Sequence, residues 1–409
     1  MTVGAKVGII GDVHLGASAN LGRQHPELNI NTRLLDYSDT LEITIDEMIS
    51  KGVSEIIFTG DIFEHRYPSL VQQKIFSQHL YRAISKGVNK IHIVVGNHDQ
   101  QRIHITTTLS YLKELNLPNI IVHDEMAMAT FDHFDKPIAN LIFMPYRDRL
   151  WLGVESYEEA ISLMRNQLES LMLRRQPDLP TILVGHMTIE GTFFDEGYRD
   201  LYSENQLTLP KDMFTGIDVT IMGHIHKPEI VSDTPYIAYV GSMEKRGGFE
   251  SHDKVYAIVD VEDAVVDFIK EPCRDIFELN LDYGTLTLKD ALMRKVFTDI
   301  QEFAKDNTLP RSVVKGVIRV SSEDEQYCDT KAIIQHLKEI HGVHFCGDIK
   351  REIYTPRQSR DERITENVTH TQAFQMFLEN TVDDVELRGQ LFEAGSEIIR
   401  TAGDIDASR

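Results

Sequence analysis

Short apolar runs alternate with longer amphipathic stretches along the first two thirds of the chain. Runs of about five residues rich in β-branched side chains predict buried strands. These strands are Lys6–Ile10, Glu55–Thr59, Lys90–Val95, Asn119–Val122, Asn140–Met144, Thr181–Val184 and Val219–Met222. Between several of them lie predicted helices. One runs from about Asp39 to Ser50 and stops at Gly52, and another starts after Pro68-Ser69 and stops at Gly87. A third opens with a capping box, Ser156 with Glu159, and runs on towards Arg175. This alternation predicts an α/β layered domain.

Three further runs close this domain without intervening helices. They are Tyr236–Val240, Lys254–Val259 and Val265–Ile269. Because no helix separates them, we expect the domain to end in strands that pack side by side.

The pattern changes after Pro272 to a small β-α-β-α-β unit. Its predicted elements are Ile276–Leu281, Leu288–Ala304, Val313–Val320, Thr330–Ile340 and Val343–Tyr354. A polar linker, Arg357–Arg363, leads to two short amphipathic helices, around Phe374 and around Leu391. A helix pair this short cannot bury its apolar faces alone, so it must dock on the preceding domain or on another protein. The sequence therefore predicts three parts: 1–271, 272–355 and 356–409.

Composition fits a globular protein: 42% of the residues are hydrophobic and 26% are charged. We expect no signal peptide and no membrane segment, because no window approaches the roughly 18 apolar residues of a membrane helix. The 3 cysteines lie far apart and match no metal-binding spacing, and an odd number cannot form a closed set of disulfides. This cysteine content is typical of proteins in a reducing cytoplasm. The expected location is cytoplasmic.

Net charge is −22, from 42 basic and 64 acidic residues. Proteins that bind long nucleic acids usually carry a basic surface, so this balance counts against a nuclease that works alone. Bound metal ions would offset part of the acidity, and a partner could supply basic surface.

Five short segments place metal-ligand side chains just past predicted strands. They are Gly11-Asp12-Val13-His14, Gly60-Asp61-Ile62-Phe63-Glu64, Gly96-Asn97-His98-Asp99, Gly185-His186 and Gly223-His224-Ile225-His226. Open α/β sheets bind ligands at this edge. Carboxylates, imidazoles and an amide together suit Mn²⁺, Fe²⁺ or Zn²⁺ better than Ca²⁺ or Mg²⁺. Seven donors drawn from these segments would be too many for one ion and would fit two that share a bridging carboxylate.

The ordered motifs DxH, GDxxE, GNHD, GH and GHxH resemble those of the calcineurin-like metallophosphoesterase superfamily over about residues 1–270. Within it, Asp12–Gly16, Gly60–Phe63 and Gly241–Arg246 with nearby Glu250 resemble the SbcD-type, or meiotic-recombination-eleven, nucleases. The resemblance implies a four-layer sandwich, two β-sheets flanked by helices, with a small α+β capping domain. The C-terminal helices resemble that family's docking segment for an SMC-type ATPase.

The resemblance also implies a ligand set. One ion would be held by Asp12, His14, Asp61 and His226, and the other by Asp61, Asn97, His186 and His224. The metals are expected to be two Mn²⁺ ions that generate a hydroxide nucleophile near neutral pH. His98 would be catalytic, stabilising the transition state or assisting the leaving group.

Positions beside the ligands leave other roles open. Asp99 could orient His98 or serve as an ordinary backbone cap. Position 64 carries Glu where the family commonly has His or Asp. Lys245 and Arg246 are either phosphate contacts or part of a solvated turn, and Lys315 and Arg319 are weaker candidates for DNA contacts.

The function implied is that of a metal-dependent DNA nuclease, a double-strand 3′–5′ exonuclease and single-strand endonuclease that acts on DNA ends. The expected partners are an SbcC-like ATPase and a second copy of the chain, which would pair through helices 39–50 and 69–86. The alternative is a phosphodiesterase for a cyclic nucleotide or another small molecule. A Ser/Thr protein phosphatase is disfavoured because Gly60–His65 contains no Arg, and a scaffold with a vestigial site is disfavoured by the complete ligand set.

Overall fold

The structure is a computed structural model that describes residues 5–101, 106–192, 206–247, 250, 252–355, 369–382 and 384–406. Its strands are, in chain order, β1 (Lys6–Ile10), β2 (Val53–Phe58), β3 (Lys90–Val94), β4 (Gln100–Gln101), β5 (Thr106–Thr107), β6 (Ile120–His123), β7 (Ala127–His133), β8 (Lys136–Met144), β9 (Thr181–His186), β10 (Thr188–Ile189), β11 (Thr208–Leu209), β12 (Val219–Gly223), β13 (Glu229–Asp233), β14 (Tyr236–Tyr239), β15 (Val255–Asp260), β16 (Val265–Lys270), β17 (Ile276–Tyr283), β18 (Val313–Val320) and β19 (Phe345–Ile353).

The α-helices of the described residues are α1 (Thr32–Ser50), α2 (Leu70–Ser85), α3 (Ser110–Glu114), α4 (Arg149–Leu152), α5 (Tyr157–Met172), α6 (Leu292–Asp306), α7 (Thr330–Glu339), α8 (His370–Thr381) and α9 (Val385–Asp406). Side-chain caps fix several of the helix starts. Ser69 forms a capping box with Gln72, and the Ser156 side chain accepts a hydrogen bond from the backbone N–H of Glu159.

Two six-stranded sheets form the larger part of the fold. The first has the strand order β16-β15-β1-β2-β3-β6, and the second has the order β13-β14-β12-β9-β8-β7. Strands β1, β2, β3 and β6 run parallel to one another, as do β8, β9, β12 and β14. The parallel strands of each sheet therefore bring their carboxyl ends to one edge.

The two sheets pack face to face over a shared apolar core. Val7 and Ile57 of the first sheet and Leu141, Val184 and Ile221 of the second belong to this core. Full burial of one such side chain stabilises the fold by about 1.5–3 kcal/mol. A second core joins the outer face of the first sheet to α1 and α2, and a third joins the second sheet to α5. The expected four-layer sandwich is confirmed.

The expectation that the last three strands lie side by side is confirmed for β15 and β16 and wrong for β14. Strand β14 lies in the second sheet between β13 and β12, whereas β15 and β16 pair beside β1 in the first sheet. The sequence pattern reports only that each strand is buried, and it carries no information on which sheet the strand joins.

Helix α1 begins at Thr32, seven residues before the predicted start at Asp39. Asn31 caps it by accepting a hydrogen bond from the backbone N–H of Arg33. The first turns bury Arg33, which forms ion pairs with Asp36 and Glu244. Buried charged residues interrupt the apolar periodicity, and for that reason the pattern missed this segment.

The third sheet has the order β17-β18-β19 and all of its pairs are parallel. Helices α6 and α7 cover one face, and their core includes the free cysteines Cys328 and Cys346. The predicted β-α-β-α-β elements agree with these strands and helices to within a few residues. Leu21 packs on Ile276, Val313 and Phe345, which joins the segment after β1 to this unit.

Helices α8 and α9 pack on each other. The rings of Phe374 and Phe392 stack with centroids 6.3 Å apart, and Leu378 is buried. The predicted linker Arg357–Arg363 lies outside the described residues. Across the described parts of the chain, none of the helices combines the length and the apolar character needed to cross a membrane.

Candidate metal centre

The seven predicted ligands converge at the edge where the two large sheets meet. Asp12 and His14 follow β1, Asp61 follows β2, and Asn97 follows β3. His186 ends β9 in the second sheet, and His224 and His226 follow β12. Since β1, β2 and β3 are neighbours, as are β9 and β12, their carboxyl ends place all seven side chains at one point.

Asp12 ties the two sheets together at this edge. Its fully buried carboxylate accepts hydrogen bonds from the backbone N–H of His224, at 2.9 Å, and from the Thr59 hydroxyl, at 3.2 Å. Thr59 immediately precedes Gly60-Asp61, the motif that follows β2. The carboxylate is thereby held by both of the sheets that supply the site.

A first group of donors surrounds His14. Its Nε2 lies 3.0 Å from His226 Nε2 and 3.7 Å from Asp61 Oδ2, and His226 Nε2 lies 3.7 Å from Asp12 Oδ2. These are the four side chains predicted for one ion. Donor atoms of Asp12, His14 and His226 are close enough to one another to hold a single metal ion.

A second group surrounds Asn97. Its Oδ1 lies 3.1 Å from His186 Nε2 and 3.0 Å from His224 Nδ1. His186 Nε2 also lies 3.4 Å from Asp61 Oδ2. Donor atoms of Asp61, His186 and His224 again lie within reach of one ion.

Asp61 belongs to both groups through the same oxygen, Oδ2. A tight backbone turn delivers it there, with a positive φ of 121° at Gly60 and of 48° at Asp61. A Cβ atom at Gly60 would come within 2.6 Å of His186 Nδ1, so only glycine fits at this position. The site thus has the one shared carboxylate that a two-ion centre requires.

Three of the imidazoles also contact residues outside the seven predicted ligands. His186 Nδ1 donates to the Thr59 carbonyl oxygen at 2.9 Å, and the Gln206 amide lies 2.9 Å from His224 Nε2. His14 Nδ1 lies 3.0 Å from Glu64 Oε2, and the other oxygen of Glu64 accepts from Arg246 at 2.6 Å. Outer contacts of this kind orient metal-binding imidazoles.

A buried ion pair supports the last motif. Lys254 Nζ donates to the backbone carbonyl of His226 at 3.0 Å and lies 2.8 Å from Glu250 Oε2. Both charged side chains are almost fully buried. A buried charge is tolerated only when it is paired and hydrogen-bonded, so this contact fixes the backbone that carries His226.

His98 lies beside the first group. Its backbone N–H donates to Asp61 Oδ1 at 2.8 Å, and its Nδ1 donates to the Glu64 carbonyl oxygen at 2.6 Å. The Asp99 carboxylate accepts from the backbone N–H groups of Gly96 and Ile62, both at 3.1 Å. Of the two roles considered for Asp99, the backbone cap is therefore the one observed.

Burial and neighbouring charges shift the pKa values of the candidate ligands. Burial, together with Asp61, raises the pKa of Asp12 to about 7. Burial lowers the pKa of His186, but the carboxylates of Asp61 and Asp12 outweigh it and raise that pKa to about 9. Burial lowers the pKa of His14 to about 4 and that of His224 to about 3. The lowered pKa values of His14 and His224 favour the neutral imidazole, the form that binds a metal ion.

The predicted basic contacts are ion-paired. Arg246 pairs with Glu64, and Lys245 Nζ lies 2.7 Å from Asp275. On the third sheet, Lys315 pairs with Glu278 at 2.8 Å, and Arg319 pairs with Asp282 at 2.9 Å. These pairs leave the β17–β19 face balanced in charge, which does not favour it as a DNA-binding surface.

Sequence reasoning missed three residues that support the ligands: Thr59, Gln206 and Lys254. Thr59 could have been suspected because it directly precedes Gly60-Asp61. Gln206 and Lys254 belong to no motif. Nothing in the sequence around them signals their contact with His224 and His226.

The fold and the site together define a phosphoesterase class. Residues 5–228, more than half of the chain, match the family model for calcineurin-like phosphoesterases. The chain belongs to the calcineurin-like phosphoesterase family.

Within that class, two curated relatives are nucleases by name. The chain is 22% identical over 290 residues to the SbcD component of the SbcCD nuclease of Staphylococcus saprophyticus, a match that covers 66% of this chain and 71% of that protein. It is 23% identical over 214 residues to the corresponding SbcCD nuclease component of Staphylococcus epidermidis, covering 51% of this chain and 55% of that protein. Among solved structures, a dimetal phosphatase from Danio rerio is 12% identical, with a TM-score of 0.38, over 65% of this chain and 99% of that one.

Proposed function

We propose that the site binds two divalent metal ions and hydrolyses phosphodiesters. The observation that carries this proposal is the position of Asp61 Oδ2, 3.7 Å from His14 Nε2 and 3.4 Å from His186 Nε2. One ion takes Asp12, His14, Asp61 and His226, and the other takes Asp61, Asn97, His186 and His224. We propose Mn²⁺ for both positions, one of the ions that mixed oxygen and nitrogen donors suit.

The bound ions would supply Lewis acidity that activates a water for in-line attack and offsets charge on the phosphate. The chain's own residues do the rest. Asp12 and Asp61 hold the negative charge that retains the ions. His98 is anchored through Nδ1 on the Glu64 carbonyl, which leaves its Nε2 for the substrate. As an imidazolium, protonated at Nε2 as well as at Nδ1, it would stabilise charge on the phosphoryl oxygens or deliver its Nε2 proton to the leaving oxygen.

We further propose that the substrate is DNA. The protein would act as a 3′–5′ exonuclease on duplex ends and as an endonuclease on single strands. Support comes from the two relatives named as nuclease components. We divide the chain accordingly into a nuclease domain, 1–271, a capping domain, 272–355, and a docking segment, 356–409. In this proposal the work takes place inside the cell, in DNA repair and recombination.

Net charge favours a second candidate. At −22, and with the basic residues of β18 neutralised by acidic neighbours, the protein offers little attraction to a long polyanion by itself. A cyclic nucleotide or another small phosphodiester would meet less repulsion. The same two-ion centre would serve that substrate.

A comparison of two substrates tests the proposal. Purified protein is incubated with Mn²⁺ and either end-labelled linear duplex DNA or bis(p-nitrophenyl) phosphate. Cleavage of both supports the nuclease. Hydrolysis of the small ester alone, also in the presence of a candidate ATPase, rejects DNA in favour of the second candidate. An absence of Mn²⁺-stimulated turnover on either substrate rejects the phosphodiesterase itself.

We propose two protein partners. Helix α2 exposes Leu70 by 82% and Tyr81 by 76%, which supports a homodimer formed through α1 and α2. Helices α8 and α9 expose Phe377, Leu387 and Leu391, which supports docking of an SMC-type ATPase.

Deletion of residues 364–409 tests the second partner. The truncated chain should keep its hydrolysis of bis(p-nitrophenyl) phosphate and lose ATP-stimulated cleavage of DNA. A truncated chain that still co-purified with the ATPase would show that the docking assignment is wrong. Light scattering on wild type and on Leu70→Glu tests the homodimer, because the variant should be monomeric.

A further inference from the structure

Gln206 stands directly behind one of the proposed metal ligands. Its side-chain nitrogen lies 2.9 Å from His224 Nε2 and also donates to the Thr188 hydroxyl. The other nitrogen of the same imidazole, Nδ1, faces the Asn97 oxygen at 3.0 Å on the ligand side of the ring. The ring is therefore held between the metal centre and Gln206.

The backbone of Gln206 itself contacts two other segments. It forms a bridge with Asp148, and its carbonyl oxygen accepts from the Tyr157 hydroxyl. Two residues further on, β11 pairs with β10, which begins at Thr188. The side chain is only 9% exposed. A buried amide in so constrained a segment has few alternative positions.

The chemistry of imidazole determines what this amide must do. A neutral ring carries one N–H, and the nitrogen that binds a cation must offer a lone pair. If Nδ1 of His224 binds the ion, Nε2 carries the hydrogen and needs an acceptor. The oxygen and nitrogen of a glutamine amide exchange places by a half-turn of the side chain, so Gln206 can supply that acceptor while Thr188 turns its hydroxyl to suit.

We propose that Gln206 is a positioning residue, whose side-chain oxygen accepts a hydrogen bond from His224 Nε2–H and thereby presents Nδ1 to the second metal ion. This inference rests on the proposed two-ion function. The 2.9 Å contact fixes where the amide lies, and the acceptor that His224 Nε2–H requires assigns the amide oxygen to the atom that faces the ring. Gln206 itself touches neither the ions nor the substrate.

The test is a calorimetric titration of the metal-free full-length protein with MnCl₂. Gln206→Glu keeps an acceptor at this position, whereas Gln206→Met keeps the length of the side chain and removes the acceptor. Loss of a partner behind a metal-binding histidine typically costs 10–100-fold in metal affinity. We therefore expect Gln206→Met to bind one of the two ions roughly 10–100-fold more weakly and the other unchanged. Gln206→Glu should stay within about threefold of wild type for both ions.

Controls separate orientation from folding. Gln167→Leu, at an exposed position of α5, should match wild type. Melting temperatures in EDTA show whether each variant folds, and Gln206→Leu replaces the Met variant if that one does not. Equal weakening by Glu and Met, or wild-type affinity in the folded apolar variant, would overturn the assignment while leaving the two-ion centre intact. A wild-type protein that binds no Mn²⁺ would overturn the proposed function together with this inference.

Discussion

The carboxylate of Asp61 and the imidazole of His186 lie 3.4 Å apart, although they follow strands of different sheets. Asp61 stands in a strained turn after β2, and His186 ends β9. Their meeting depends on how the two sheets are stacked. The pair is therefore a sensitive place to test whether the site works as one unit.

Replacing Asp61 with Ala should abolish tight binding of both metal ions, because the same oxygen faces His14 and His186. The loss should exceed the roughly 10–100-fold expected for a residue behind a ligand. Metal content after gel filtration, measured by mass spectrometry, checks this. Asp263→Ala, at an exposed turn, is the matched control. A variant that kept one tightly held ion would show that Asp61 does not bridge.

His98→Ala should retain both ions and lose roughly 10²–10⁴-fold in turnover, the usual contribution of a general acid or base. Two esters of thymidine 5′-monophosphate identify its role. If His98 protonates the leaving oxygen, the loss should be large for the phenyl ester and small for the p-nitrophenyl ester, whose leaving group needs no proton. Equal losses would assign His98 to stabilisation of the phosphoryl oxygens.

Glu64→Ala should weaken one of the two ions about 10–100-fold, because Glu64 Oε2 faces His14 Nδ1 at 3.0 Å. The change also removes the carboxylate that pairs with Arg246, a cation that lies close to the candidate ligands. Glu64→Asp should recover most of the affinity in a titration with MnCl₂. Equal metal affinities of the Ala and Asp variants would show that the Glu64 side chain does not orient His14. Both variants keep the contact of His98 with the backbone carbonyl of residue 64.

Glu271→Gln should stabilise the protein at alkaline pH. Burial, reinforced by Glu244 and Glu47, raises the pKa of this carboxyl well above its ordinary value, and one of its oxygens has no hydrogen-bond partner in the described structure. Above the unfolded pKa, near 4.5, the unfolded chain releases this proton while the folded protein retains it, so stability falls as pH rises towards the folded pKa.

The amide variant removes that loss. We expect a gain of ~1 kcal/mol at pH 8, or roughly 2 °C in melting temperature, and no gain near pH 4.5. Thermal unfolding in EDTA at the two pH values measures it, with the exposed Glu262→Gln as the control. The same gain at both pH values would mean that ionisation of Glu271 is not the cause.

The sequence by itself determined the local elements and the candidate ligands. Apolar runs placed β1, β2, β3, β9 and β12 nearly to the residue, and the glycine-led motifs after them contain the seven candidate ligands that lie together at one edge. Both signals are local. Burial of a strand and the turn after it are written within a few neighbouring residues.

Only the tertiary structure decided which strands share a sheet and what lies behind each ligand. β14 lies in the second sheet and does not pair with β15. Asp99 accepts hydrogen bonds from backbone N–H groups. Gln206 contacts His224 and Lys254 contacts His226, although neither residue belongs to a motif. These contacts arise when two separately patterned sheets are stacked on a common core. The periodicity of one strand carries no information on its distance to another strand. These contacts are therefore visible only in the folded structure.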